Sequence, residues 1–582
     1  MNRREFNRLL CAGAIAGILP KTSLALSSSL PNYNLPQSGD VRLLHITDCH
    51  AQLKPIYFRE PNVNIGLNDA LGRTPHIVGD AFLSKNKLNK NSIEAHAFTY
   101  LNFNSAAREY GKVGGFAHLS TLIKSLRASA GGKNNSLLLD GGDTWQGSAT
   151  AYWSRGKDMV QAANLLGIDV MTGHWEFTYQ EEEVLSNVDD FNGEFLAQNI
   201  TLTEEALFEG KQAHDEDTGH VFKPYSIKEL NGHRIAIIGQ AFPYTPVANP
   251  KRFIPDWSFG IQNQALQELV DDIKEKEKPA AVILLSHNGM DVDLKLASVV
   301  SGIDFILGGH THDGVPIPVT VKNSSGVTVV TNAGSNGKFI AVLDLNLDNG
   351  TLKGYEYRLL PVFSNFIKAD SEMSALIDEI RKPYLATLTE ELAVSESLLY
   401  RRGNFNGTFD QLICDALRHE LNAEISLSPG FRWGTTVLPG QAITFEHVMD
   451  QTCITYPETY ARNMLGTEIK AILEDVADNL FHPDPFYQQG GDMVRVGGMN
   501  YTCDPTTNAG KRISNMTLDS GKKIEPNKYY KVAGWATVGS KAPGKPIWEV
   551  VANYLRNKKT IRINSINSPN LKNVFNNPGM TL

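Results

Sequence analysis

Cysteine is scarce in this sequence, and positive charge is not in excess. Five Cys occur in 582 residues, and 55 Lys and Arg face 63 Asp and Glu, for a formal net charge of −8. Without a basic surplus there is nothing to neutralise a run of phosphates, so a nucleic-acid partner is excluded. Low-complexity tracts, basic tails and internal repeats are also missing. With 42% hydrophobic and 20% charged residues the chain has an ordinary globular balance, which excludes extended disorder. Beyond the short N-terminal leader, no apolar stretch approaches the roughly 20 residues that cross a bilayer, so no membrane span is expected. Cys11 lies in that leader, leaving Cys49, Cys414, Cys453 and Cys503. Four cysteines allow three pairings that sequence cannot distinguish. Cys49 stands between two candidate metal ligands, and a buried free thiol is the expectation there.

The leader carries its own information. Arg3 and Arg4 are followed by Phe6 and by an apolar stretch from Leu9 to Leu19. As a helix this would span about 17 Å, too short for a bilayer and right for the core of a signal peptide. Ser23, Leu24 and Ala25 place small residues where a signal peptidase would cut. N-R-R-E-F resembles a twin-arginine signal, with Asn2 and Asn7 departing from its usual Ser or Thr and Leu. Residues 1–26 are therefore expected to direct export to the periplasm, with an ordinary secretion signal as the alternative.

The chain is longer than one hydrophobic core usually organises, so at least two domains are expected. Short apolar runs at Val41–Thr47, Ser136–Leu139, Asp169–Thr172, Arg234–Gly239, Ala281–Ser286 and Asp304–Leu307 read as buried strands. Amphipathic stretches at Phe116–Ala128, Met159–Leu166 and Ile261–Lys274 separate them, which predicts an α/β architecture. Residues 54–112, rich in Asn, Pro and Gly, interrupt the pattern and read as a structureless insertion, a lid or arm. Ile367–Ser397 reads as helical without strand signals. The division is thus a metal-binding domain over 40–363 with the insertion 54–112, a linking helix over 364–398, and a second domain over 399–582. In that domain Gly407–Leu421 and Thr467–Leu480 are predicted helices.

Five motifs follow predicted strands and carry Asp or His: T-D-C-H at 47–50, G-G-D-T at 141–144, G-H-W-E-F-T at 173–178, L-S-H-N-G-M-D at 285–291 and G-G-H-T-H-D at 308–313. A pair of divalent ions about 3.5–4 Å apart needs one bridging carboxylate and nitrogen or oxygen ligands on both sides. Asp48 and His50, two apart in an extended turn, can reach one ion together. Asp143, preceded by glycines that allow close approach, is placed to bridge, and His310 and His312 can diverge to both ions. Each motif alone is weak, since a His beside Gly is usually a turn or core residue. Five in order along alternating strands point to a site, and mixed carboxylate and imidazole suits Mn, Zn or Fe.

The order D-x-H, G-D, G-H-W-E, H and G-H-x-H resembles the calcineurin-like metallophosphoesterases, and a C-terminal domain after a linking helix resembles their 5′-nucleotidase branch. Within that branch, H-I-T-D-C-H-A-Q-L-K-P-I-Y-F-R-E-P at 45–61 and M-T-G-H-W-E-F-T-Y at 171–179 are similar to the SoxB family of thiosulfohydrolases. The resemblance implies an α/β (α+β) two-domain fold: an N-terminal β-sandwich flanked by helices and a C-terminal α/β substrate domain. It implies two divalent metal ions, manganese for choice, one held by Asp48, His50, Asp143 and His312, the other by Asp143, His174, His287 and His310. It further implies release of sulfate from a SoxY-type carrier protein bearing a sulfonated cysteine, by water that both cations acidify. The alternative on the same scaffold is a periplasmic 5′-nucleotidase or 2′,3′-cyclic phosphodiesterase.

The third motif departs from the nucleotidase form G-N-H-E-F-D. His174 stands for the metal-binding Asn, Trp175 for the His of the catalytic dyad, and Thr178 for the Asp that orients that His. An alkoxide leaving group gains roughly 10²–10⁴-fold from a positioned acid, whereas a persulfide can leave without a proton. Trp175 is thus a candidate substrate contact that cannot shuttle a proton, or a space filler. Arg432, in S-P-G-F-R-W-G, occupies the position of the anion-binding Arg of nucleotidases, and its planar donor fork suits sulfonate oxygens; a surface or interdomain ion pair is the structural alternative. Phe405, Phe431 and Trp433 are available as the paired aromatics that sandwich a base in nucleotidases, and sequence does not say which face the cleft.

Overall fold

The computed structural model describes residues 19–20, 32–539 and 541–580. Apart from Leu19–Pro20, the expected export leader at 1–26 lies outside the described residues.

Two sheets stack face to face in the N-terminal half. The first runs in the order Leu19–Pro20, Thr351–Pro361, Phe339–Asp348, Val41–Ile46, Ser136–Asp140, Val170–Met171, Glu194–Phe195. The second runs Val319–Lys322, Val327–Asn332, Phe305–Gly308, Ala281–Ser286, His233–Gln240, Tyr225–Leu230. Both have parallel centres, with Val41–Ile46 beside Ser136–Asp140 and Ala281–Ser286 beside Phe305–Gly308. Strands buried on both faces read as unbroken apolar runs, and V-I-L-L at 282–285 is one. Leu43, Leu139, Ile237, Ile283 and Leu307 form the layer between the sheets. Helices Phe116–Ser129 and Lys157–Leu166 cover the outer face of the first sheet, and Asn263–Lys276 and Met290–Val299 that of the second.

The C-terminal half has a separate core. Its central sheet orders Thr459–Leu465, Tyr529–Trp535, Ile425–Ser428 and Arg495–Gly497, flanked by helices Thr408–Glu420 and Gly466–Phe481. Both helices follow the periodicity read from the sequence.

Two expectations are corrected. Residues 54–112 are not structureless: they hold helices Gly79–Asn86, Ile93–Phe98 and Phe103–Tyr110. Ser92 caps the second by accepting from the Ala95 N–H at 3.2 Å. Ile93 and Ala97 enter the layer between the sheets, while Ile65 enters the C-terminal core, so the segment straps the two halves together. Its apolar residues are spaced for two separate cores rather than for one face, which hides them from a periodicity test. The linking helix is also shorter than expected. Ser371–Arg381, capped by Asp370 at 3.0 Å from the Met373 N–H, is followed by a short turn of helix to Leu388. Glu391–Ser395 is then a strand between Ala442–Thr444 and Thr560–Ile561. Those partners are distant in sequence, so no local pattern announces it.

Candidate metal centre and active site

All seven side chains expected as ligands follow the carboxyl ends of parallel strands, where α/β sheets gather their ligands. Asp48 and His50 follow Val41–Ile46, Asp143 follows Ser136–Asp140, and His174 follows Val170–Met171. His287 follows Ala281–Ser286, and His310 and His312 follow Phe305–Gly308. They converge in two groups, Asp48, His50, Asp143, His312 and Asp143, His174, His287, His310, each with its ligand atoms within 4.8 Å of one another. Asp143 belongs to both. Its Oδ1 accepts the Trp175 N–H at 2.7 Å, which turns Oδ2 inward to face His287 Nε2 at 3.1 Å, His174 Nδ1 at 3.4 Å and His50 Nε2 at 3.7 Å.

The backbone here is under local tension. Asp48, His50, Asp143, His310 and His312 all have φ between 45° and 71°, the left-handed region that a Cβ disfavours. Five of seven converging side chains in that region is strain held by the surroundings, as found at functional sites. Hydrogen bonds from Asp48 N–H to Gly142 O and from His50 N–H to Asp143 O, both 2.8 Å, fasten the first two loops together. Gly309 is required by close approach: a Cβ there would lie 2.4 Å from Thr47 Oγ1 and 3.0 Å from the Asp48 carboxylate.

The donors suit a dinuclear divalent metal site. The two carboxylates and five imidazoles are buried, and His174 Nδ1 and Nε2, His287 Nε2, His310 Nε2 and His312 Nδ1 have no hydrogen-bond partner. Polar nitrogens buried without a partner cost free energy, which a cation held by the lone pair of each neutral ring would offset. His287 Nδ1 lies 2.6 Å from Gly141 O, which sets Nδ1 as the protonated nitrogen and frees Nε2 for a ligand bond. Burial pushes His310 and His312 well below the usual imidazole range, so both stay neutral and ready to ligate. Burial also acts to lower His287, but Asp143 and Asp48 outweigh it and lift the ring to about 10.

The solved sulfate thiohydrolase SoxB of Thermus thermophilus, in complex with glycerol, matches this structure with a TM-score of 0.85 and 36% identity, over 93% of this chain and 98% of its own. The chain belongs to the SoxB family. Residues 386–549 match the family described as 5′-nucleotidase, C-terminal domain, which places this chain within the 5′-nucleotidase branch. UshA of Yersinia enterocolitica is 25% identical over 471 residues, covering 72% of this chain and 80% of UshA. A 5′-nucleotidase precursor, also from Thermus thermophilus, shares the fold, with a TM-score of 0.71 at 20% identity over 92% of this chain and 99% of its own. The chain spans 31% of the length of the trifunctional nucleotide phosphoesterase YfkN of Bacillus subtilis, 26% identical over 475 residues. Members of this branch are metal-dependent hydrolases, and this SoxB-family chain is one.

In this SoxB-family site, Trp175 and Arg432 line a cavity of about 290 Å³ together with Asp143, His174, His310 and His312. Trp175 meets Phe431 and Trp433 edge-on, at 5.5 and 5.1 Å between ring centres. Phe431 and Trp433 themselves stack at 4.1 Å and 20°. Phe405, the third aromatic considered, packs in the C-terminal core instead. Arg432 donates from Nη2 to Gly491 O at 3.0 Å and has Nε 3.6 Å from Asp492, while Nη1 is buried without a partner. Thr178 lies against Thr455, oxygen to oxygen at 2.5 Å. Cys49, Cys414, Cys453 and Cys503 are buried free thiols.

Sequence reasoning missed two residues. Glu176 is fully buried and accepts four backbone N–H groups, from Asp143 at 3.2 Å, Thr144 at 2.7 Å, Trp145 at 3.1 Å and His174 at 2.8 Å. It ties the two ligand loops to one carboxylate. Its place inside G-H-W-E-F-T was the available signal. Arg402, from the C-terminal half, reaches the His310–His312 loop, and no motif pointed to it.

Proposed function

We propose that this chain is a di-manganese thiosulfohydrolase that releases sulfate from a thiosulfonate on the cysteine of a SoxY-type carrier protein. The seven converging side chains are its ligands, shared as the two groups above through Asp143, with Trp175 and Arg432 as substrate contacts. The net reaction is R–S–S–SO₃⁻ + H₂O → R–S–S⁻ + SO₄²⁻ + 2 H⁺. The water oxygen bonds to the sulfonate sulfur, the S–S bond breaks, and its electron pair leaves on the carrier's persulfide. Two bound divalent ions supply Lewis acidity and acidified water. Arg432 holds sulfonate oxygens through its unpaired Nη1 edge, and the Trp175, Phe431 and Trp433 wall keeps bulk water away from the leaving sulfur.

The observation that carries this reading is the Trp175 wall. A base sandwiched between two aromatic rings needs them about 7 Å apart, twice a carbon contact distance. Phe431 and Trp433 stand at 4.1 Å, in direct contact. Among the described residues lining the cavity, the only imidazoles are His174, His310 and His312, all assigned to metal, so none is left to protonate an alkoxide. Both facts disfavour a nucleotide and suit a leaving group that needs no acid. The insertion contributes to access: Asn64 and His76 line a smaller recess of about 50 Å³ with His310 and Arg432. Among the described residues no helix is long and apolar enough to cross a membrane. The twin-arginine-type leader is what supports periplasmic export. Normal periplasmic yield after Arg3 and Arg4 are both replaced by Lys would assign the leader to general secretion.

The deciding experiment measures sulfate release from carrier-bound thiosulfonate beside phosphate release from AMP. Sulfate release with negligible AMP hydrolysis is expected, and rapid AMP hydrolysis without sulfate release would transfer the chain to the nucleotidases. A second prediction concerns the clamp. Arg432→Lys keeps the charge and loses the fork, so kcat/KM for the carrier substrate should fall about 10–100-fold, the worth of a hydrogen bond to a charged group. Metal content should be unaffected. Unchanged kinetics would assign Arg432 to its structural ion pair with Asp492 inside the C-terminal half.

A further inference from the structure

We propose that Arg402 is a positioning residue through which the C-terminal half fixes the His310–His312 ligand loop. The inference rests on the reading of those two histidines as metal ligands.

The loop carries one ligand to each ion and is strained to do so. His310 and His312 take φ of 71° and 59°, left-handed backbone on both sides of Thr311. Three tethers come from the N-terminal half itself. Thr311 N–H donates to Gly309 O at 2.9 Å, Met290 N–H donates to Thr311 Oγ1 at 3.1 Å, and His310 N–H donates to the Asp48 carboxylate at 3.0 Å. A fourth comes from the other half: Thr311 C=O accepts from Arg402 Nη2 at 2.8 Å. The same Nη2 lies 3.6 Å from Asp313 Oδ1, immediately after His312. The Arg402 side chain is only 4% exposed, so little water competes for these contacts.

Arg402 also connects this loop to the anion clamp. Its Nη1 lies 4.0 Å from Asp492 Oδ2, and Asp492 Oδ1 lies 3.6 Å from Arg432 Nε. One buried carboxylate therefore registers both the pin on the ligand loop and the Arg that faces the substrate. A planar fork can serve a carbonyl and two carboxylates at once, whereas an ammonium acts as a single point charge. The consequence is a linkage: if docking of the C-terminal half organises the loop, bound ions must in turn favour docking, by the reciprocity of coupled equilibria.

The test uses full-length manganese-loaded protein and follows ion release to a chelator by elemental analysis, with deuterium uptake across 308–313 alongside. Arg402→Met should hold its ions 10- to 100-fold more weakly, as for other partners that orient metal ligands, and the loop should exchange faster. Arg402→Lys should fall between Met and wild type, and it decides the matter if the Met variant does not fold. Arg512→Met removes a buried guanidinium from its ion pair with the half-buried Asp478 (2.6 Å), elsewhere in the same half. It should keep wild-type ion retention, which separates positioning from general loss of stability. Wild-type retention in Arg402→Met, or equal leakage from Arg512→Met, would overturn the proposal. His310→Ala tells the two failures apart: loss of an ion from it leaves the ligand reading intact, and retention of both ions removes that reading too.

Discussion

Asp143→Ala is expected to emerge with neither metal ion bound and with sulfate release reduced by about 10³-fold or more. The size follows from the several kcal/mol of charge stabilisation that a metal site supplies, each 1.4 kcal/mol being tenfold in rate. Asp143 Oδ2 is the carboxylate oxygen within 3.7 Å of imidazole nitrogens from three different loops. Without it, each ion would keep three ligands and lose the negative charge that offsets mutual repulsion of the pair. Alanine also strands the Trp175 N–H, which donates to Oδ1 at 2.7 Å. Asp143→Asn separates the two effects, because an amide oxygen can still accept that N–H while binding divalent ions poorly. The Asn variant should fold like wild type and still lack metal. Elemental analysis showing one ion at full occupancy in either variant would refute the bridging role.

Glu176→Ala should be nearly as damaging through a different route. Four buried backbone N–H groups lose their acceptor together, at about 1–3 kcal/mol for each that stays unsatisfied. Water admitted to the space will recover part of this, so a loss of about 3–5 kcal/mol is expected. Two of the four donors belong to the proposed ligands Asp143 and His174, and ion affinity should fall about 10–100-fold as well. Burial pushes the Glu176 carboxyl up, and the nearby Asp143 charge adds to that. Glu176→Gln keeps one oxygen and should restore part of the stability. Chemical unfolding and elemental analysis on the same samples check both effects. A Glu176→Ala protein with wild-type stability and a full metal complement would show that the loops hold themselves.

The converging side chains proposed as ligands were legible because each sits one to four residues beyond a strand that is itself legible. A strand buried on both faces is a short apolar run, and V-R-L-L-H-I before T-D-C-H or A-V-I-L-L-S before H-N-G-M-D needs no partner to be recognised. The insertion was misread because Ile65 serves one core and Ile93 another. Glu391–Ser395 was missed because its pairing partners lie at 442–444 and 560–561.

Local sequence alone determined the strand ends and the residue types at the site, Trp175 and Thr178 among them. These depend on side-chain chemistry and on periods of two or four residues, which a linear reading contains. Tertiary structure decided the rest. That Asp143 turns one oxygen inward follows from the Trp175 N–H taking the other. That Phe431 and Trp433 stack rather than stand apart follows from the packing of the C-terminal core against the metal loops. That five of the proposed ligands sit at positive φ follows from contacts such as the Asp48 and His50 N–H groups on Gly142 and Asp143. Left-handed backbone is disfavoured for each of these residues alone, so it persists only where neighbours from distant parts of the chain over-determine it.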